Sequence, residues 1–221
     1  MSIINNKKSL DINNFRIERL QLVLFFTDII RNVEVLSSKI VNDLKIENKQ
    51  ENDNFYTQQS VIYIKKNKTI AFGPDRVDYI CRYDETTDDD YIKNIFFDNI
   101  YNISRSVCKF RSISRIGIIS NLFINDDNPS STLTDKFFKL KKTKDSDELS
   151  IRYNKRELFS EANINNIYIF EAINNFRNKK IDPRISITRD INCDFNNDGI
   201  DINFIKSFID NYKMKILYYE R

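Results

Sequence analysis

The sequence contains no histidine and no tryptophan, and only three of its 221 residues are glycine. Without histidine there can be no Ser-His-Asp triad, no Cys-His pair and no histidine-bound zinc site. The glycines, Gly73, Gly117 and Gly199, lie too far apart in the chain to form a glycine-rich phosphate loop. Catalysis would therefore depend on carboxylates, lysine, tyrosine or cysteine, and we predict no catalytic residue.

Cysteine is also scarce, and its placement bears on the compartment. Cys81, Cys108 and Cys193 are odd in number and widely separated, so we expect reduced thiols and no disulfide framework. The first 14 residues are polar and lack an apolar signal segment, and polar residues interrupt the apolar stretch 20–30. We therefore expect a cytoplasmic protein without a membrane-spanning helix.

The periodicity of apolar residues predicts an α+β fold with mostly antiparallel sheets and about three helices. Hydrophobic residues make up 41% of the chain, which allows a sizeable core. Helical spacing predicts helices over about 30–46, 91–107 and 201–217. Alternation of apolar and polar residues predicts strands over 15–26, 61–65, 69–72, 76–83, 113–124, 136–142, 149–153, 163–171 and 184–195.

The polar segment 125–132 contains Pro129 and is the best candidate boundary within the chain. It separates a first half, 1–125, from a strand-rich second half, 133–221, which ends in a helix. We expect the halves to pack tightly, either as two small domains or as one. Because each half combines a strand meander with a helix, we predict an internal structural duplication.

One acidic segment resembles the opening of a calcium-binding loop. Asp194, Asn196 and Asp198 supply oxygen atoms at alternate positions and are followed by a glycine. The match then fails, because Asp201 stands where a hydrophobic residue belongs and Ile205 where a bidentate glutamate belongs. We favour a capped turn between a strand and a helix and predict no cofactor, with a metal site at these three residues as the alternative.

Basic residues with interleaved aromatic residues are concentrated in the second half. Such strands can bind a phosphate backbone and stack bases. The net charge of the chain is only +3, however, and lysine on exposed strands also prevents edge-to-edge association. Nucleic-acid binding is therefore the alternative function, and its candidate residues are Lys136, Lys139, Lys141, Lys142, Lys144, Arg152, Lys155 and Arg156.

Two segments carry a resemblance to a known family. Segment 68–78, Lys-Thr-Ile-Ala-Phe-Gly-Pro-Asp-Arg-Val-Asp, and segment 114–121, Ser-Arg-Ile-Gly-Ile-Ile-Ser-Asn, resemble strands of a sporadically distributed family of uncharacterised bacterial proteins. The family's Arg-Tyr is absent at Ile119-Ser120. Strands at Phe15 and at 187–192 follow in the family's order, so the resemblance covers nearly the whole chain. It implies an accessory component of mobile or defence-type gene clusters and no known catalytic residues.

These observations lead to three functional hypotheses. The first is a non-enzymatic accessory or binding subunit that docks onto a protein partner in a bacterial or phage defence-type system. It would act away from membranes, in a hetero-complex or a homo-oligomer. The second is a nucleic-acid-binding protein that uses the basic second half. The least favoured is a histidine-free, metal-dependent enzyme.

Overall fold

One antiparallel sheet of eight strands carries the fold. The computed structural model describes residues 15–46, 61–65, 67–83, 89–138, 148–173, 182–194 and 199–217. Its elements are, in chain order, β1 (Arg16–Phe26), α1 (Val33–Asp43), β2 (Val61–Lys65), β3 (Lys68–Phe72), β4 (Arg76–Arg82), α2 (Asp89–Phe110), β5 (Ile113–Asn125), α3 (Pro129–Phe137), β6 (Glu148–Phe159), β7 (Ala162–Ile173), β8 (Arg184–Asp194), α4 (Ile202–Tyr212) and a 3-10 helix (Lys215–Leu217). Across the sheet the strands follow the order β2-β3-β4-β1-β5-β8-β7-β6, and each neighbouring pair is antiparallel.

The element order strand, helix, three strands, helix occurs twice along the chain. The first occurrence runs from β1 to α2 and the second from β5 to α4. In the sheet the two repeats are arranged about the β1–β5 pair, so that β4 corresponds to β8, β3 to β7 and β2 to β6. The second repeat begins at Ile113, upstream of the boundary predicted at 125–132, and a single sheet passes through both halves.

The helices pack on one face of the sheet, which we call the covered face. Phe96 of α2 stacks on Tyr79 of β4, with the ring centroids 5.8 Å apart. Phe137 of α3 lies against Phe170 of β7 at 4.8 Å. The 3-10 helix is attached by Ser120 of β5, whose buried hydroxyl donates to a backbone carbonyl of that helix at 2.6 Å. The covered face and these helices enclose the hydrophobic core.

The predicted α+β class, with its mostly antiparallel strands, is confirmed, but one segment was assigned wrongly. Lys136 and Phe137 were predicted to open a strand, whereas they end α3. The described residues form four α-helices, close to the predicted number of about three. The helix begins at Pro129, whose fixed φ suits a first helical turn. Leu133 and Thr134 are buried one turn later. None of the helices that the structure describes is long and apolar enough to cross a membrane.

Two phenylalanines of α2 test the position of the core. Phe96 is fully buried, whereas Phe110, at the end of the same helix, is 36% exposed. We expect Phe96→Ala to lower the free energy of unfolding by about 3–5 kcal/mol, because it removes a buried ring and leaves a cavity. Phe110→Ala should cost less than about 1 kcal/mol. Urea unfolding curves measure both, and equal losses would contradict the described packing of α2.

Candidate functional site

The second face of the sheet, which we call the open face, has no helix over it among the described residues. Side chains alternate along a strand, so the residues between the core positions point to this face. Cross-strand register aligns them in rows perpendicular to the strands. One row joins Arg82 of β4, Arg19 of β1, Asn121 of β5, Thr188 of β8, Ile169 of β7 and Arg152 of β6.

Arginine dominates the charge of the open face. Among the side chains that the structure describes, the carboxylates on this face are Glu18, Asp78, Glu171 and Asp190. Among the described side chains of the strands, the register places no lysine on this face. The arginines are Arg16, Arg19, Arg76, Arg82, Arg115, Arg152, Arg156 and Arg184. Among these described side chains, guanidinium groups therefore outnumber carboxylates.

Two of these arginines are direct cross-strand neighbours. Arg19 and Arg82 occupy paired positions of β1 and β4. Burial lowers the pKa of Arg19, and the positive charge of Arg82 lowers it further, whereas the nearby carboxylates of Glu18 and Asp78 act in the opposite direction. The Nε of Arg19 donates to Asn121 Oδ1 at 3.0 Å, and Asn121 Nδ2 donates to Thr188 Oγ1 at 2.7 Å. The Asn121 amide and the Thr188 hydroxyl thus hold the Arg19 side chain in place beside the positive charge of Arg82.

Arginines also enclose the phenylalanine rings of the open face. Phe25 of β1 lies between its two register partners, with Arg76 at 5.9 Å and Arg115 at 5.3 Å from the ring centroid. Arg184 lies 5.2 Å from the ring centroid of Phe123. Cation–π contacts of this kind keep the guanidinium planes over apolar surface. They leave the arginines ordered and still able to donate hydrogen bonds from their edges.

Of the carboxylates on the open face, Asp78 is buried and Asp190 is half-buried. Asp78 accepts hydrogen bonds from Gln21 Nε2 at 2.8 Å and from Arg76 Nε at 3.0 Å. Burial raises the pKa of the Asp78 carboxyl, although Arg76 acts in the opposite direction. Burial likewise raises the pKa of Asp190, which accepts a hydrogen bond from Asn192 at 2.9 Å. Both carboxylates therefore belong to internal hydrogen-bond networks.

The structure divides the basic residues that the sequence predicted as a site. Arg152 and Arg156 lie on the open face of β6, and both are exposed. Lys155 lies between them and points to the covered side, at the exposed edge of the sheet. Lys136 is on α3. The remaining predicted residues, Lys139, Lys141, Lys142 and Lys144, lie outside the described residues.

The metal site that the sequence offered as an alternative is only partly within the described chain. Asp194 ends β8, and Asn196 and Asp198 lie outside the described residues. In the described part of the chain, no three acidic or cysteine side chains are grouped so that they could hold a metal ion. The turn into α4 has Gly199 at φ +81°, and the Asp201 side chain caps the helix by accepting from the Phe204 amide at 2.6 Å. The N-cap of α4 is therefore Asp201, whereas residues 195–198 of the predicted capped turn lie outside the described residues.

Sequence reasoning did not find Arg19, Arg76, Arg82, Arg115 or Arg184 as site residues. Each occurs singly within an ordinary strand, so no local cluster marks it. The one usable signal was the period-two pattern itself, because an arginine at a non-core position of a strand must lie on the face opposite the core. Neighbouring strands had to be known before these residues could be recognised as one array.

No protein-family model matches the chain, and no curated protein matches it. The binding chemistry of the open face is therefore inferred from its geometry. The face presents ordered guanidinium groups that favour phosphate or carboxylate ligands, with apolar side chains between them. Because several guanidinium groups lie together on the face, the arrangement is suited to binding an anionic ligand.

The raised pKa of Asp190 gives the stability a testable dependence on pH. Burial makes the Asp190 carboxyl harder to ionise in the folded state than in the unfolded state. The folded protein therefore loses stability as the pH rises above 3.8, the ordinary pKa of this carboxyl. Asp190→Asn cannot ionise, yet it keeps an oxygen for Asn192. The variant should therefore gain stability relative to the wild type as the pH rises from about 4 to about 7.

Urea unfolding at several pH values measures this difference. Glu171→Gln, which removes an exposed carboxylate from the same face, is the matched control and should not reproduce the trend. If the Asp190→Asn variant instead lost stability relative to the wild type on going from low to neutral pH, burial would not be the dominant influence on this carboxyl.

Proposed function

We propose that the chain is a non-enzymatic binding protein and that the open face of its sheet binds single-stranded nucleic acid. The observation that carries this proposal is the row of residues that begins with the cross-strand pair Arg82 and Arg19 and ends with Arg152. It crosses six strands, and at about 4.8 Å between neighbouring strands it spans about 24 Å. A face of this width accommodates several nucleotides, as comparable β-sheet surfaces do.

The electrostatics of the Arg19–Arg82 pair favour an anionic ligand. Like charges at directly paired strand positions destabilise a sheet. In the described part of the chain, Arg19 makes its hydrogen bond through Nε only, and the Arg82 side chain has no hydrogen bond or ion pair. A phosphate placed between the two guanidinium groups would accept from both and offset their repulsion. The pair therefore gains most from a ligand that supplies negative charge.

The apolar residues of the face favour an unpaired strand over a duplex. Half-buried isoleucines, among them Ile80, Ile119 and Ile167, lie in the row next to the arginine row. A duplex presents its phosphates and keeps its bases stacked inside, whereas a single strand can place bases against apolar and guanidinium surfaces. Alternating arginine and apolar positions match the second arrangement.

Strand β6 provides a matched test of the proposal. Arg152→Glu and Arg156→Glu reverse charges on the open face, whereas Lys155→Glu reverses one on the other side of the same strand. With a fluorescein-labelled oligo-dT as probe, the Arg152→Glu/Arg156→Glu double variant should bind on the order of tenfold more weakly at low salt. The plot of log affinity against log salt should become shallower by about 0.7 for each arginine lost.

Fluorescence anisotropy over a salt series measures both quantities. Lys155→Glu should match the wild type, and a loss as large as that of the double variant would contradict binding on the open face. A Lys139→Glu/Lys141→Glu/Lys142→Glu triple variant tests the lysines that the sequence suggested. Binding that depended on these three lysines and not on Arg152 and Arg156 would place the site there. Equal affinity of all variants for the probe would overturn the proposal.

We further propose that the chain works in the cytoplasm as an accessory subunit that docks onto a protein partner. Its cysteines support a reducing compartment, since Cys81 and Cys193 are buried and none of the three forms a disulfide within the described residues. Burial raises the pKa of Cys108 to about 11, which makes a reactive thiolate unfavourable. Support for a docking role comes from an apolar cluster on the surface, in which Ile29 is 78% exposed. Membership of a defence-type gene cluster, which the family resemblance implies, stays a prediction.

Affinity capture from the native host checks the accessory role. A tagged chain should retain one partner in a stoichiometric amount after washing at moderate salt, and the partner should elute together with the chain in size-exclusion chromatography. A chain that stays monomeric and retains no protein above the background of an unrelated tagged protein would contradict a docking function. Nuclease treatment of the lysate separates this association from one mediated by nucleic acid.

A further inference from the structure

A groove of about 640 Å³ lies where the start of α1 meets the end of α2. The segment that connects β1 to α1 forms one wall, and Phe110 and Arg111 form the other. The buried side chains of Ile30 and Leu36 lie at its base and belong to the core. The groove is thus supported from below by packed residues.

Large apolar side chains on the wall of the groove are exposed to solvent. Ile29 is 78% exposed, Val35 is 50% exposed and Phe110 is 36% exposed. Three of the large hydrophobic residues that remain exposed in the described chain therefore line this one groove. Exposed apolar groups that cluster around a concave surface, in contrast to scattered ones, are typical of sites that bind a partner.

The rim of the groove carries an unbalanced positive charge. Arg31, Lys39 and Arg111 are all exposed, and their side chains have no ion pair or hydrogen bond within the described residues. Asp28 is the only carboxylate among the described residues that line the groove. Three cations against one anion favour an acidic occupant, because complementary charge speeds association and disfavours other partners.

We propose that this groove is the docking site for an acidic peptide segment of a protein partner, anchored by one or two large apolar side chains. The inference specifies the partner for the accessory role proposed above and is independent of nucleic-acid binding on the open face. An apolar anchor would fill the groove beside Val35 and Phe110, and carboxylates flanking it would meet Arg31, Lys39 and Arg111. Anchors of this kind carry most of the binding energy in protein interfaces.

Defined peptides can test the proposal without knowledge of the natural partner. The probe is a fluorescein-labelled glutamate-rich peptide that carries two leucines and a tryptophan at helical spacing. Matched peptides replace either the three apolar residues by serine or the glutamates by glutamine. Fluorescence anisotropy with the full chain should detect binding of the first peptide, and each replacement should weaken that binding at least tenfold.

Variants of the groove provide the second part of the test. Ile29→Asp and Arg111→Glu should each weaken binding of the acidic peptide at least tenfold. Both side chains are exposed, so the fold should tolerate the two substitutions. Met214→Asp and Lys206→Glu are the matched controls, since they change an exposed apolar residue and an exposed cation outside the groove. Circular dichroism and thermal unfolding show whether each variant keeps its fold.

Several outcomes would overturn the proposal. These are no binding of the acidic peptide, equal binding of the glutamine or serine peptide, and equal losses in the control variants. Sedimentation over a range of concentrations shows whether Ile29→Asp dissociates a dimer. If it did, a second copy of the chain would occupy the groove. A host protein that both the wild type and the groove variants retain in affinity capture would leave the accessory role standing and refute this groove as its site.

Discussion

The antiparallel pairing of β1 with β5 is the interaction on which the rest of the structure depends. It runs from Arg16 opposite Phe123 to Phe26 opposite Ile113 and joins the two repeats of the chain. Without it, each half would be a separate four-stranded sheet with β1 or β5 as an unpaired edge strand. Because β1 and β5 pair with each other, neither strand is left as an edge and one sheet continues through both repeats. Rows of side chains therefore cross from one repeat to the other.

One-sided coverage of this sheet explains the different chemistry of its two faces. The helices that the structure describes pack against the covered face, where leucine, isoleucine and phenylalanine form the core. Among the described residues the open face has no such layer, and several of its polar groups form hydrogen bonds with one another. Asn192 illustrates this, since it accepts from Arg115 and donates to Asp190. The same arrangement leaves guanidinium groups in excess among the described side chains, because the carboxylates are fewer than the arginines around them.

The open face and the groove between α1 and α2 are separate surfaces with a shared chemical character. Both combine exposed cations with apolar side chains, and neither contains a group with an unperturbed pKa near neutrality, since the chain has no histidine. The two surfaces are formed by different elements of the fold. The two proposals thus assign nucleic acid to one surface and a protein partner to the other.

Local sequence patterns determined most of the secondary structure, because alternation and helical spacing reflect which side of an element is buried. The strands at 15–26 and 163–171 were predicted nearly within their observed bounds. Helix α3 was missed, because a short alternating pattern assigned Lys136 and Phe137 to a strand. The array of arginines depended on tertiary structure. Arg19 and Arg82 are neighbours only because β1 pairs with β4, and hydrogen bonds between strands, which no local pattern encodes, decide that contact.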